Sequence, residues 1–343
     1  MSEPRNFLIV KYSSLGDIVN SIPAVRLLRR ARPEAKIYWL IRAPFAGLLK
    51  HSNFIDKVIV YEGDAGVAAT RKAIRDIKPL DIDVALDLQG LFKSGLISYM
   101  SGAKERISIP YTRELSSIFY TKKMGKMRFT GIHAVEENVS IIEAYTGQSI
   151  GGGYNFDFTI PAEASDKAVL LMKEARRGGA PVVVACPTTR WNSKMPGQYK
   201  FALACDKLAD KYGSRTVLTG ARGDYDYIEG VRKLMKSESY NLAGATDIIT
   251  LAAVLKGSDV VITCDSGAMH VAAAVGANVV AIFGPTNPDY VGPFTKKRRV
   301  VQRVLDCREC RKRDCSDHKC MDAITPDDMA KAASELLEES SKR

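Results

Sequence analysis

Short β-branched runs alternate along almost the whole chain with longer stretches whose apolar residues recur every three or four positions. Residues 7–12, 36–41, 57–61, 83–88 and 106–109 have the composition of buried strands. Between the first two, Ile18, Ile22, Val25 and Leu28 fall at helical spacing, and residues 65–77, 91–100 and 133–145 predict further helices. Strands that alternate with helices predict a parallel, doubly wound α/β sheet. Residues 147–153 are glycine-rich and end this series, and 154–161 reads as a linker or crossing strand. A second series follows, with strands at 181–186, 215–219, 259–263, 278–283 and 299–304 and helices at 198–212, 225–236, 247–256 and 268–275. Pro326 starts a last helix. The pattern predicts an N-terminal domain over 1–153, a second domain over 154–325 and a C-terminal helix over 326–343. A ligand is expected in a central cleft faced by the carboxyl ends of the strands.

Composition changes this picture in one respect. Of 343 residues, 46% are apolar and 26% charged, which is ordinary, but the net charge is +11. That favours acidic partners such as a phosphorylated substrate or anionic lipid. No basic low-complexity arm with interleaved aromatics points to nucleic acid. The N-terminal apolar run is too short for a signal peptide, and no stretch reaches the roughly 18–20 apolar residues of a spanning helix. We therefore expect a cytoplasmic protein. Seven cysteines, three in apolar segments, read as thiols in a reducing compartment.

Chemistry concentrates at strand ends. Cys264-Asp265-Ser266-Gly267 breaks a strand and opens a small-residue helix. The free N–H groups of a helix start form an anion site, and Gly267 admits a phosphate close to the backbone; capping is the competing role of Asp265 and Ser266. Ser13-Ser14-Leu15-Gly16-Asp17 is the turn after the first strand. It lacks the G-x-G-x-x-G of dinucleotide folds. Asp17 there is a helix cap or an ionised general base. The loop 187–194 combines Thr188, Thr189, Arg190 and Lys194 and suits a diphosphate or an exposed polar role. Asp224 offers a carboxylate to ribose hydroxyls or to the next helix. The D-x-D pairs Asp81/Asp83 and Asp224/Asp226 read as surface charge, with protein cations in place of a metal. Cys307, Cys310, Cys315 and Cys320, beside His318, can supply four thiols to zinc or form a free thiol cluster in a basic loop. The surrounding Lys296, Lys297, Arg298, Arg299, Arg303, Arg308, Arg311, Lys312 and Arg313 form a solvated face or rest on anionic lipid.

Four stretches, LIVKYSSLGDIVNSIPAVRLLRRARPEA, DLQGLFKSGLISYMSGAKERIS, HAVEENVSIIEAY and CDSGAMHVAAAVGANVVAIFGPTNPDYVGP, occur in this order. In them the chain resembles glycosyltransferase family nine, the lipopolysaccharide heptosyltransferases, over nearly its full length. The segment TRELSSIFYTKK is more similar to the branch that adds the first heptose to Kdo. The resemblance implies a GT-B fold, with the acceptor on the N-terminal domain and an ADP-sugar on the C-terminal one. It implies inverting transfer to a Kdo-lipid A type acceptor at the inner face of the membrane, without a metal or other cofactor. Asp17 matches the family's base, and Thr188, Thr189 and Lys194 match residues around the diphosphate and donor sugar. Asp224 stands at the ribose position, Asp265 at the heptose hydroxyls, and Ser266 and Gly267 at the phosphate; His270 fits the motif. Lys93 and Arg113, in family-like stretches, are the expected acceptor cations. A nucleotide-sugar epimerase or hexosyltransferase of the same fold, and a non-enzymatic anionic-surface or nucleic-acid binder, are the rival readings.

Overall fold

A computed structural model describes residues 4–62, 66–307 and 309–341. The chain divides into two compact units between Thr159 and Ile160. The first contains β1 (Asn6–Val10), α1 (Leu15–Ala31), β2 (Lys36–Arg42), β3 (Lys57–Tyr61), α2 (Val67–Ile77), β4 (Val84–Asp87), α3 (Phe92–Met100), β5 (Glu105–Ser108), β6 (Lys122–Lys123) and α4 (Ala134–Thr146). Its strands are parallel, in the order β3-β2-β1-β4-β5-β6.

The second unit contains α5 (Ala162–Met172), β7 (Val182–Cys186), α6 (Gln198–Tyr212), β8 (Arg215–Leu218), α7 (Tyr225–Leu234), β9 (Ser239–Asn241) and α8 (Ile248–Lys256). There follow β10 (Val260–Cys264), α9 (Gly267–Ala274), β11 (Val279–Phe283), α10 (Pro288–Val291), β12 (Arg298–Gln302), α11 (Lys319–Asp322) and α12 (Pro326–Ser341). The order is β12-β11-β10-β7-β8-β9, again parallel. Counted from the start of each unit, both sheets run 3-2-1-4-5-6, the doubly wound order of Rossmann folds.

This topology fixes where chemistry can sit. The winding reverses between β1 and β4 in the first unit and between β7 and β10 in the second. Loops leaving the carboxyl ends of those strands diverge to opposite faces and open a crevice. The strands beneath are anchored by burial. Every residue of β4, β7, β10 and β11 is buried, as helices on both faces of a parallel sheet require. The second core joins Val183, Ile262 and Ile282 of the sheet to Met329, Ala333 and Leu336 of α12, so the last helix belongs to this unit.

The strand series expected from the sequence is present. The edge strands β6 and β9 and the helices α5, α10 and α11 were not anticipated, and residues 153–161 carry neither helix nor strand. No helix among the described residues is long and apolar enough to cross a membrane.

Candidate active site

The second-unit site grows from the β7 and β10 ends. After β10 the chain turns at Asp265 and Ser266, and α9 starts at Gly267 with Ser266 as its N-cap. Asp265 is buried, and its Oδ2 accepts from Lys194 Nζ at 2.6 Å and from Thr286 Oγ1 at 2.6 Å. A buried carboxylate needs such partners, because burial without them costs several kcal/mol. Lys194 ends a short helical turn in the loop after β7, and Thr286 lies in the loop after β11. Three loops from three strands are thus tied at one carboxylate. Lys194 Nζ also lies 4.3 Å from the centroid of the Trp191 ring, a cation–π contact. Thr189 Oγ1 donates to the Asp265 carbonyl at 3.1 Å, and Thr188 Oγ1 donates to Asp224 Oδ2 at 3.0 Å. The Asp224 carboxylate also accepts the Ala221 N–H at 2.9 Å. Thr188, Thr189, Lys194, Asp224 and Asp265 therefore form one connected polar surface beside the α9 start. His270 is buried within α9.

A segment rich in cysteine braces this surface from behind. Ser193 donates to the Lys312 and Arg313 carbonyls, His318 Nε2 lies 3.1 Å from the Asn192 carbonyl oxygen, and the Arg311 N–H reaches the Pro285 carbonyl at 3.0 Å. Cys307, Cys310, Cys315 and Cys320 are free thiols. Among the described residues no group of three or more His, Cys, Asp or Glu side chains is placed to hold a metal ion. Part of the basic face expected here is consumed internally. Arg299 pairs with Glu335 at 2.7 Å and with Glu339, and Arg303 pairs with Asp328 at 2.5 Å, all on α12. Arg308 lies outside the described residues.

The first-unit site sits at the β1 and β4 ends. Asp17 Oδ2 accepts from Ser14 Oγ at 2.7 Å and from the Ser14 N–H at 3.2 Å, a capping arrangement at the start of α1. Burial pushes this carboxyl up, but the Lys11 ammonium, the Arg128 guanidinium and the Ser14 donors together bring it down to about 2. Lys11 is buried at the end of β1 and donates to the Leu88 carbonyl at 2.6 Å; its own burial holds it below the ordinary lysine value. Arg128 is locked by Glu137 of α4, whose buried carboxylate accepts from the Arg128 N–H, Nε and Nη2 at 2.8–3.0 Å. Gln89 Oε1 accepts the Ser13 N–H at 3.3 Å. Lys93 is exposed on α3, and Arg113 lies over the Tyr111 ring, its N–H bonded to the Gly90 carbonyl.

Sequence reasoning did not single out Lys11, Ser14, Arg128, Glu137, Trp191 or Thr286. Lys11 carried a signal: an ammonium at the end of an apolar strand, within LIVKYSS, must be buried and partnered.

Two Rossmann-like units in tandem, each with a polar surface at its switch point, are the make-up of a GT-B glycosyltransferase. Residues 70–321 match the model of glycosyltransferase family 9 (heptosyltransferase), and the chain belongs to that family. It is 28% identical to lipopolysaccharide heptosyltransferase 1 of Escherichia coli O18:K1:H7 over 86% of this chain and 90% of that protein. Among solved structures, a family 9 glycosyl transferase from Veillonella parvula superposes with a TM-score of 0.85 at 21% identity, covering 98% of this chain and 97% of that one. The E. coli ADP-heptose lipopolysaccharide heptosyltransferase II gives 0.82 at 21% identity, covering 98% and 99%.

Proposed function

We propose that this enzyme transfers a heptose from ADP-heptose to a Kdo-containing acceptor of the lipopolysaccharide inner core. The observation that carries the reading is the buried Asp265 carboxylate, clasped by Lys194 and Thr286 beside the start of α9. Such a surface offers a sugar a hydrogen-bond acceptor and a diphosphate both an ammonium and free N–H groups. Family membership and the ADP-heptose named for the E. coli relative support the donor assignment.

In the proposed reaction an acceptor hydroxyl attacks the anomeric carbon as its proton passes to the Asp17 carboxylate. The new C–O bond forms on the face opposite the breaking bond to phosphate, so the anomeric centre inverts. Lys194, Thr188, Thr189 and the N–H groups at Ser266 and Gly267 take up the charge that grows on the departing ADP. Asp224 holds the ribose. His270 supports the α9 turn from within its helix. Lys93 and Arg113 meet the carboxylates and phosphates of the acceptor. No metal enters this scheme, because Lys194 and the α9 start supply its positive charge. The protein works peripherally at the inner face of the inner membrane.

The decisive assay offers purified enzyme ADP-, UDP- and GDP-sugars with either Kdo-lipid A or its monoheptosylated product. Transfer from ADP-heptose to Kdo-lipid A is expected, as in the branch that adds the first heptose. Activity only on the monoheptosylated acceptor reassigns the branch. Equal use of UDP-sugars, or sugar turnover without acceptor, overturns the reading.

A further inference from the structure

Large apolar side chains are exposed on α3 and on the loop that follows β5 in the first unit. Leu115 is 81% exposed, Ile118 71% and Tyr99 54%, and Phe92 and Tyr111 are also exposed. The two elements are joined by rings: Phe119 lies 5.1 Å from Phe92 and 6.0 Å from Tyr99 by centroids, which ties α3 to the loop that carries Tyr111, Leu115 and Ile118. Exposed apolar residues scattered singly need no explanation, but a connected patch marks an interaction surface.

The loop that presents them is firmly built. Its Arg113 N–H and Ser116 Oγ both donate to the Gly90 carbonyl, at 2.9 and 3.1 Å, and Ser116 is fully buried. The Glu114 carboxylate accepts the Phe92 N–H at 3.2 Å. Within this frame Glu114 and Leu115 take φ of 55° and 59°, a left-handed backbone that residues with a Cβ avoid. The frame thus holds Leu115 in a backbone that a β-carbon disfavours, with its side chain 81% exposed.

Charge identifies the partner. Residues 91–126 hold seven Lys or Arg and two Asp or Glu, a net +5 of the whole chain's +11. One of the two acids, Glu105, pairs with Lys122 at 3.0 Å, and the other is Glu114. Lys93 is exposed on α3, and the Arg113 guanidinium lies over the exposed Tyr111 ring, so cations share these elements with the apolar tips. That combination matches the boundary of an anionic bilayer, where rings and aliphatic tips enter the headgroup region and cationic groups meet phosphate. The basic segment before α12, by contrast, spends Arg299 and Arg303 on its own acids.

We propose that the face formed by α3 and the 111–119 loop docks the protein on an anionic phospholipid bilayer, with Leu115 and Ile118 as the inserting tips. This rests on the proposed lipid-borne acceptor and names the surface that brings the first-unit site to it.

The test is co-sedimentation of the full chain with vesicles of phosphatidylcholine alone or mixed with phosphatidylglycerol, without acceptor. Wild type is expected to bind the mixed vesicles and to lose that binding in high salt. Leu115→Gly removes the inserting side chain and relaxes the left-handed backbone. It should therefore unfold at the same or a higher temperature, yet bind vesicles about tenfold more weakly. Ile118→Ser should match that loss. ADP affinity and transfer to a delipidated acceptor should stay at wild-type levels in both. Wild-type sedimentation of Leu115→Gly, or equal wild-type binding to neutral vesicles, overturns the proposal. So does a dimer in solution that Leu115→Gly dissolves, which gives the face to a second copy of the chain. Each of these results leaves the transferase reading standing, whereas loss of that reading shows as failed transfer to the delipidated acceptor.

Discussion

Asp17 spends one carboxylate oxygen, Oδ2, on both of its bonds to Ser14. Capping and proton abstraction are thus compatible in one residue, since the second oxygen carries neither bond. The charge environment holds the group at about 2 against burial, so it is ionised throughout the neutral range. It accepts protons weakly and is always ready to accept them. The substitution Asp17→Asn separates its roles. Asparagine still caps, but it takes up no proton, so kcat should fall by about two to four orders of magnitude while ADP affinity is unchanged. Near-normal turnover of the folded variant would leave Asp17 as a cap only. The same substitution has a pH signature. A carboxyl depressed on folding stabilises the native state above its unfolded value of 3.8, and that stabilisation is lost as pH falls towards 2. Wild type should therefore exceed Asp17→Asn by on the order of 2 kcal/mol in urea unfolding at pH 7. The gap should shrink between pH 4 and pH 2, and a gap independent of pH contradicts the charge assignment.

At the scale of elements, strands were legible wherever both faces are buried. β7, β10 and β11 read as unbroken apolar runs because helices cover both sides. β6 is two exposed lysines and β9 is half-buried Ser-Tyr-Asn; neither edge carries the apolar signal of a covered strand. Helix α5 escaped for a different reason. It buries Ala164, Ala168 and Met172, while its most apolar residues, Val169 and Leu170, face solvent. Asp265 and Lys194 were legible in the sequence as a pair of candidates, but the other partner of the Asp265 carboxylate, Thr286, was not. Thr286 sits in a Gly-Pro-Thr-Asn-Pro stretch that reads only as a stop, and strand order alone brings β11 beside β10. We expect Thr286→Val to lower kcat/KM for the donor about tenfold, the loss of one charge-assisted hydrogen bond that orients Asp265. Thr286→Ser should restore it, and a valine variant with wild-type donor kinetics removes Thr286 from the site. Gly90 plays the corresponding part in the first unit. Its φ is +71°, a Cβ there would lie 2.7 Å from Ile109 Cδ1, and its N–H and carbonyl join Asp87 to Arg113 and Ser116. Gly90→Ala should cost about 1–3 kcal/mol in urea unfolding, a figure set by left-handed strain and the clash. A loss below 0.5 kcal/mol, the scale of ordinary surface changes, would mean that the loop relaxes freely.

For the whole molecule, the repeated 3-2-1-4-5-6 order explains why two polar surfaces of different character occur in one chain. Each unit offers a crevice at the same topological position, and the side chains differ. The first places a carboxylate beside a buried lysine and a half-buried arginine; the second places a lysine and a helix start around a buried carboxylate. The second unit also has its own core, in which α12 packs against α6 and the sheet, and every residue tied at Asp265 belongs to it. We therefore expect residues 160–343, expressed alone, to fold cooperatively and to bind ADP with an affinity within about threefold of the full chain. The diphosphate should be held by Lys194 and the α9 N–H groups, so exhaustive EDTA should leave this affinity unchanged. Lys194→Met should abolish it by calorimetry, while Lys194→Arg should retain part of the charge and lose the compact fit to Asp265 and Trp191. Cutting ADP affinity by EDTA, with recovery on adding magnesium, would transfer the role of Lys194 to a metal ion. A folded fragment that ignores ADP would mean that the nucleotide needs groups from the first unit as well.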